Sequence, residues 1–325
     1  MTILKRASLR LAFALAAMIL CNGARAQLND FPNRIQIVVP ASPGGLIDMS
    51  SRLIAQKLAG YWDVPVIVEN KPGGNLLIGS GAVASGPADG SMILAGVEAN
   101  IVVNPIFEPG TPYGLSDFTP LGQVWDTSLI LVASKTVPAT SFRELDRHVK
   151  ANGRAMNFSS AGTHVELMAG ALKDATGWNF VNVPYKGNVE RMQSLLSGET
   201  QFTLISTGYA APMVKAGKIT GVFVTSAARS TDLPDVPTAT EAGLQNFVIT
   251  SWGGLFVSSK VQPAIRDKLR DGVRRALAEP DVQKLILSAG AETSVPDIAA
   301  FSRRIADDAE RWRSVGKKYD IRTYR

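Results

Sequence analysis

The sequence predicts an α/β protein of two domains. Three observations point there. Strand-like and helix-like segments alternate almost throughout the chain, the pattern of α/β layers. A strand, a turn of small residues and a helix follow one another near residue 40, and again near residue 160. The 325 residues, less a 26-residue leader, leave 299, enough for two such domains.

The leader is read from Lys5, Arg6 and Arg10, an apolar run from Leu11 to Leu20, and Ala24-Arg25-Ala26 before Gln27. These are the parts of a cleaved export signal, and the apolar run is too short to span a bilayer comfortably. Met18-Ile19-Leu20 before Cys21 lacks the small residues of a lipid-attachment site. Four of the 34 basic residues and none of the 28 acidic ones lie in the leader, leaving 30 against 28, or +2. The remaining Lys and Arg are scattered, so no nucleic-acid surface is implied. Cys21 is the only cysteine, which leaves the mature chain no disulfide and no cysteine metal site.

The first strand is Ile35 to Val39, a β-branched run suited to burial on both faces. Pro40 to Gly45 cannot continue it, because proline lacks the N–H and the glycines free φ. Ile47, Ile54 and Leu58 then recur at helical spacing until Gly60. The unpaired N–H groups and the dipole at such a helix start suit a carboxylate or phosphate. Asp48 in that first turn either complements the dipole or orients the Pro43–Gly45 loop.

Val64 to Val68 reads as a strand, Ile78 to Ser85 as a short helix, and Met92 to Val97 as a third strand. Asn104-Pro105 opens an irregular stretch reaching Pro120, and Leu129 to Ala133 is another strand. Ser141-Phe-Arg-Glu144 is a capping box for a helix to about Ala151. Met156 to Ser160 is a strand, Ala161 to Thr163 a turn, and Val165 to Thr176 a helix. Phe180 to Val183, a helix to Leu196, Phe202 to Ile205, a turn at Ser206–Gly208, and Gly221 to Thr225 continue the alternation. Leu233 to Thr238 is extended, and a strand starts near Trp252. Pro263 and Pro280 open helices, and a last helix runs from about Pro296 to Lys318. Such a helical tail packs back on the first domain in many α/β proteins.

Catalytic motifs find no support. Gly79-Ser-Gly81 follows a loop rather than a strand and has no acidic residue about twenty positions on, so its glycines read as close helix packing. No G-x-S-x-G elbow exists, and His148 and His164 have no H-E-x-x-H partner. Ser314-Val-Gly-Lys317 matches S-x-x-K by chance. Glu98, just past a strand end, would repel an anion if it faced a pocket and otherwise reads as solvated.

The chain resembles the periplasmic solute receptors of tripartite tricarboxylate transporters, the Bug (TctC-like) family. The likeness rests on Ile37-Val-Val-Pro40 with Pro43-Gly-Gly45 and Asp48, on Val68-Glu-Asn-Lys-Pro-Gly-Gly-Asn75, and on Pro87-Ala-Asp-Gly90. Asn104-Pro105, Asp117-Phe118, Asn157 to Gly162, Val183-Pro-Tyr-Lys-Gly187 and Val214-Lys-Ala-Gly-Lys218 extend it. Leu233 to Thr238, Glu241-Ala-Gly-Leu244 and Ser251-Trp252 complete it. The resemblance implies a type II-like periplasmic binding protein that closes on a ligand held between its domains. Domain 1 would be 27–136 plus 251–325 and domain 2 would be 137–250, with crossings near Leu129–Thr136 and Trp252–Ser258. It implies ligand contacts from Pro43, Gly44, Gly45, Asp48, Glu98 and Asn104 on one side. From the other come Ser159, Ser160, Gly162, Thr163, Tyr185 and Ser206. It further implies a periplasmic monomer without cofactor or metal, not an enzyme, that passes a small organic carboxylate to the transporter's membrane subunits. Signalling to a sensor kinase uses the same cleft and stays open, while a secreted hydrolase is disfavoured by the missing base. Several positions depart from the family pattern: Ser42, Leu46 and Ile47 in the opening loop, Leu167 where a histidine is usual, and Ile205 where an aspartate is frequent.

Overall fold

The structure, a computed structural model, describes residues 31–152, 155–245, 247–293 and 297–321. The export leader and its cleavage site lie outside the described residues.

Strand β1 (Ile35–Val39) leads into helix α1 (Leu46–Trp62), β2 (Val66–Asn70), α2 (Leu77–Ala84) and β3 (Met92–Val97). Strands β1, β2 and β3 pair in parallel. The period of two is visible in the packing: Ile35, Ile37 and Val39 enter one hydrophobic core and Val38 enters another. Both faces of this strand are covered, as its β-branched run implied. The glycines of α2 also behave as close-packing residues. A Cβ on Gly79 would lie 2.8 Å from Pro40 Cα, and one on Gly81 2.9 Å from Pro112 Cγ.

The stretch read as irregular is partly ordered. A π-helical turn (Ala99–Val103) runs into the short α3 (Asn104–Phe107), and a 3₁₀ turn (Leu115–Asp117) precedes β4 (Phe118–Ser134). That strand is far longer than the Leu129–Ala133 run suggested. Pro120 and Gly122 hide its first half, and both sit at a register shift against its neighbour. A bulge tolerates proline because the missing N–H costs no ladder bond there.

Helix α4 (Phe142–Asn152) follows, its Glu144 N–H donating to Ser141 Oγ while the Glu144 carboxylate accepts from the Thr140 N–H. Next come β5 (Asn157–Ser160), α5 (Gly162–Thr176), β6 (Val181–Pro184), α6 (Asn188–Ser197) and β7 (Phe202–Ser206). Helix α7 (Thr207–Lys215) begins where only a turn was read, because Pro212 inside it disguised the periodicity. Strands β8 (Ile219–Val224) and β9 (Thr250–Ser258), then α8 (Pro263–Leu277), α9 (Pro280–Ser288) and α10 (Ile298–Lys318), complete the chain.

The strand order is β2-β1-β3-β9-β4-β7-β5-β6, with β8 also on β4. Strand β4 belongs to both halves of the molecule. Its residues Phe118 to Ser128 pair with β9, and Leu129 to Ser134 pair with β7 and β8. Thr225 Oγ1 accepts the Leu129 N–H at 3.0 Å and also bonds the Ile249 carbonyl, tying β4 to the entry of β9.

The tail helix does more than return to the first half. It packs on β4 and the π-turn, but also on α5 of the second half. The main core is accordingly continuous, running from Val38 and Leu94 through Trp252 and Trp312 to Leu167 and Phe202.

Candidate functional site

The opening loop is braced from below. Gly44 takes φ +96°, where a Cβ is strained, whereas Gly45 caps α1 at φ −79°, an ordinary value. Asp48 is buried beneath the turn, and its Oδ2 accepts the Gly44 N–H at 2.9 Å. Its Oδ1 accepts Asn70 Nδ2 at 2.9 Å and lies 2.9 Å from the Arg52 guanidinium, while Asn70 also donates to the Ala41 carbonyl. Burial pushes the Asp48 carboxyl up, but Arg52, the Gly44 N–H and Asn70 outweigh it and hold the group below its ordinary value. Of its two sequence readings, loop orientation is the one this geometry supports. Pro43, Gly44 and Gly45 themselves are exposed.

At the second loop, Gly162 takes φ +70° with nothing within 4 Å of where its Cβ would be. Ser159 and Ser160 are fully buried, and their hydroxyls find no hydrogen-bond partner among the described residues. Their carbonyls are engaged: Ser160 O accepts the Tyr185 N–H at 2.8 Å, and Ser159 O accepts Arg191 Nε at 3.2 Å. Thr163 Oγ1 donates to Glu108 Oε1 at 2.9 Å, which also takes Asn75 Nδ2 at 3.1 Å. Asn104 Nδ2 in turn donates to the Asn75 carbonyl at 2.6 Å. Thr163 and Asn104 thus meet through a clasp between the halves, made with Asn75, which ends the family motif from Val68, and with Glu108, which carried no sequence signal of its own.

Glu98 corrects its sequence reading. It is not solvated but 0 % exposed, accepting Trp312 Nε1 at 2.6 Å, with His164 Nε2 3.3 Å from its other oxygen. That second approach is an ion-pair distance without hydrogen-bond alignment. Burial opposes ionisation, yet the His164 charge and contact, with the Trp312 N–H, prevail and hold the carboxyl below its ordinary value. His164 stands edge-on to the Trp312 ring at 5.6 Å. Three elements are joined at one buried charge.

A cavity of about 170 Å³ opens beside His164. Thr127 and Ser251 contribute from β4 and β9, and His164, Asn188, Arg191 and Ser206 from the second half. Of the expected site residues, Ser206 lines it, while the opening loop and Ser159–Thr163 do not. Larger hollows of about 350 and 340 Å³ beside the tail helix share no lining residue with those loops. Arg191 was missed by sequence reasoning. The available signal was position: it stands four residues before Leu195, on the buried stripe of α6.

The family described as "Tripartite tricarboxylate transporter family receptor" matches residues 50–321. The chain belongs to this family. A relative of the receptor in a Pseudomonas species, described as a "UPF0065 protein in tcbD-tcbE intergenic region", is 31% identical over 96% of this chain and 94% of its own. The structure of periplasmic binding protein BugD is similar at TM-score 0.74 and 28% identity, covering 90% of this chain and all (100%) of that one. MatC from Rhodopseudomonas palustris, with bound malate, is similar at TM-score 0.73 and 26% identity, covering 87% and 98%. The receptor has the two-domain fold of the periplasmic binding proteins. Two departures from its family pattern now have places: Ile205 lines the cavity, and Leu167 is fully buried in the core.

Proposed function

We propose that this receptor is exported to the periplasm, captures a small organic carboxylate between its halves without chemical turnover, and delivers it, as a monomer, to the membrane subunits of a tripartite tricarboxylate transporter. The observation that carries the reading is the cavity whose wall is shared by Thr127 and Ser251 with His164 and Ser206. A pocket walled by two halves closes when they approach and opens when they part. The change of partners along β4 supports a first boundary near Ser128–Leu129, earlier than 136, and a return near 250, with hinges near Leu129 and Ile249. The exposed Pro43–Gly45 loop and Gly162, each at a helix start, are open to a ligand that the cleft would enclose. Malate in MatC supports the ligand class. Export is supported by the leader through Ala26.

A thermal-shift panel of mono-, di- and tricarboxylates tests this. At 100-fold excess over Kd a true ligand stabilises by about 2.7 kcal/mol. Stabilisation only by sugars, cations or phosphorylated compounds would remove the carboxylate assignment.

A further inference from the structure

Arg191 is 2 % exposed, and among the described residues no Asp or Glu pairs with it. Its Nε donates to the Ser159 carbonyl, one Nη to Asn188 Oδ1, and the other Nη to Thr203 Oγ1 and the Leu204 carbonyl. Those are four of the five N–H groups of a guanidinium. The fifth stays on Nη1, and the residue lines the junction cavity. A buried cation surrounded only by neutral acceptors is costly unless an anion joins it. Burial pulls its pKa down only to about 10, so the charge persists at neutral pH. No acidic side chain lines the cavity, and His164, its other basic group, already faces Glu98. One positive charge is therefore left over. Leu129, Val165, Met168, Leu204 and Ile205 supply the apolar part of the cavity's lining. The volume of about 170 Å³ is close to the roughly 150 Å³ that holds benzene in an engineered cavity.

Resting on the receptor reading above, we infer that Arg191 is the ligand's charge partner and selects a compact monocarboxylate with an apolar body. The carboxylate meets Nη1, and the hydrocarbon lies on the Leu204–Ile205 wall. A second carboxylate on the same ligand would meet that wall without a cation.

The test is calorimetric titration of the full chain with pentanoate, pentanamide and glutarate. Pentanoate should bind; pentanamide should be at least about tenfold weaker because it loses a charge-assisted hydrogen bond, and glutarate at least about tenfold weaker because its second carboxylate would be buried without a cation. Arg191→Met should weaken pentanoate by about tenfold to a hundredfold, and Arg191→Lys should recover part of the loss. Pentanamide or glutarate matching pentanoate overturns the inference while leaving the receptor reading intact, and so does parent-like pentanoate binding by Arg191→Met. Should Arg191→Met not fold, the three-ligand comparison on the parent decides alone. If no carboxylate of any class binds, the receptor reading falls and takes this inference with it.

Discussion

Asp308 is where a single residue leaves a mark on the stability of the whole. Burial, then the nearby Glu98 charge, push its carboxyl up from 3.8 to about 6, against the opposing Trp252 N–H, Arg311 and Arg304. Between those two values the folded chain holds a proton that the unfolded chain has released. Stability therefore falls as pH rises through this window. Asp308→Asn can still accept from Trp252 Nε1, which lies 2.9 Å from the present Oδ2, and it has no proton to lose. Relative to that variant, the parent should lose up to about 3 kcal/mol between pH 4 and 7, read from urea midpoints. Parallel pH curves would show that Asp308 titrates as an ordinary carboxylate. Asp48 is the opposite case: its carboxyl is held down by donors, and its place at a helix start was legible while its partners were not. Asn70, which also donates to the Ala41 carbonyl, reaches it only because β1 and β2 lie side by side.

At the scale of elements, the docking of α10 on α5 is the contact that periodicity could not locate. Gly170 makes it possible. A Cβ there would come within 2.8 Å of Val315 Cγ1 and 3.1 Å of Tyr319 Cδ2. Lys318 and Tyr319 then bond Asp174 on the next turn of α5. Gly170→Val should overpack this seam and cost about 1–3 kcal/mol in chemical unfolding, with faster proteolysis of the tail. A variant with the parent's midpoint and an equally protected tail would show the seam to be loose. Strand β4 teaches the same lesson. Its apolar second half was readable, whereas the half containing Pro120 is a strand only because β9 lies beside it.

For the whole molecule, two halves would ordinarily unfold in two steps. Here β4 runs through both, α10 packs on both, and one core reaches from Val38 to Phe202. Trp312 reinforces this by meeting Glu98 of the first half and His164 of the second. Urea unfolding should therefore show one transition, with far-UV circular dichroism and tryptophan fluorescence coincident. Trp62 and Trp178 sit in opposite halves and report on each, packed against Phe31 and Phe142 respectively. Separate midpoints for the two probes would mean that the shared core does not couple the halves.

The amino-acid order by itself determined the alternation of strands and helices, the double burial of β1, the two glycine-containing helix starts and the membership in a receptor family. These are local or patterned properties, carried by side-chain period, proline and glycine chemistry and motif spacing. Only the tertiary structure decided that Glu98 is buried against Trp312, 214 positions away, that Thr163 meets Glu108 across 55 residues, and that Arg191 stands at the cavity without a carboxylate. Charges in a chain carry no record of which partner will share their low dielectric. That depends on contacts between segments distant in sequence, which exist only once the sheet and the tail helix have closed around them.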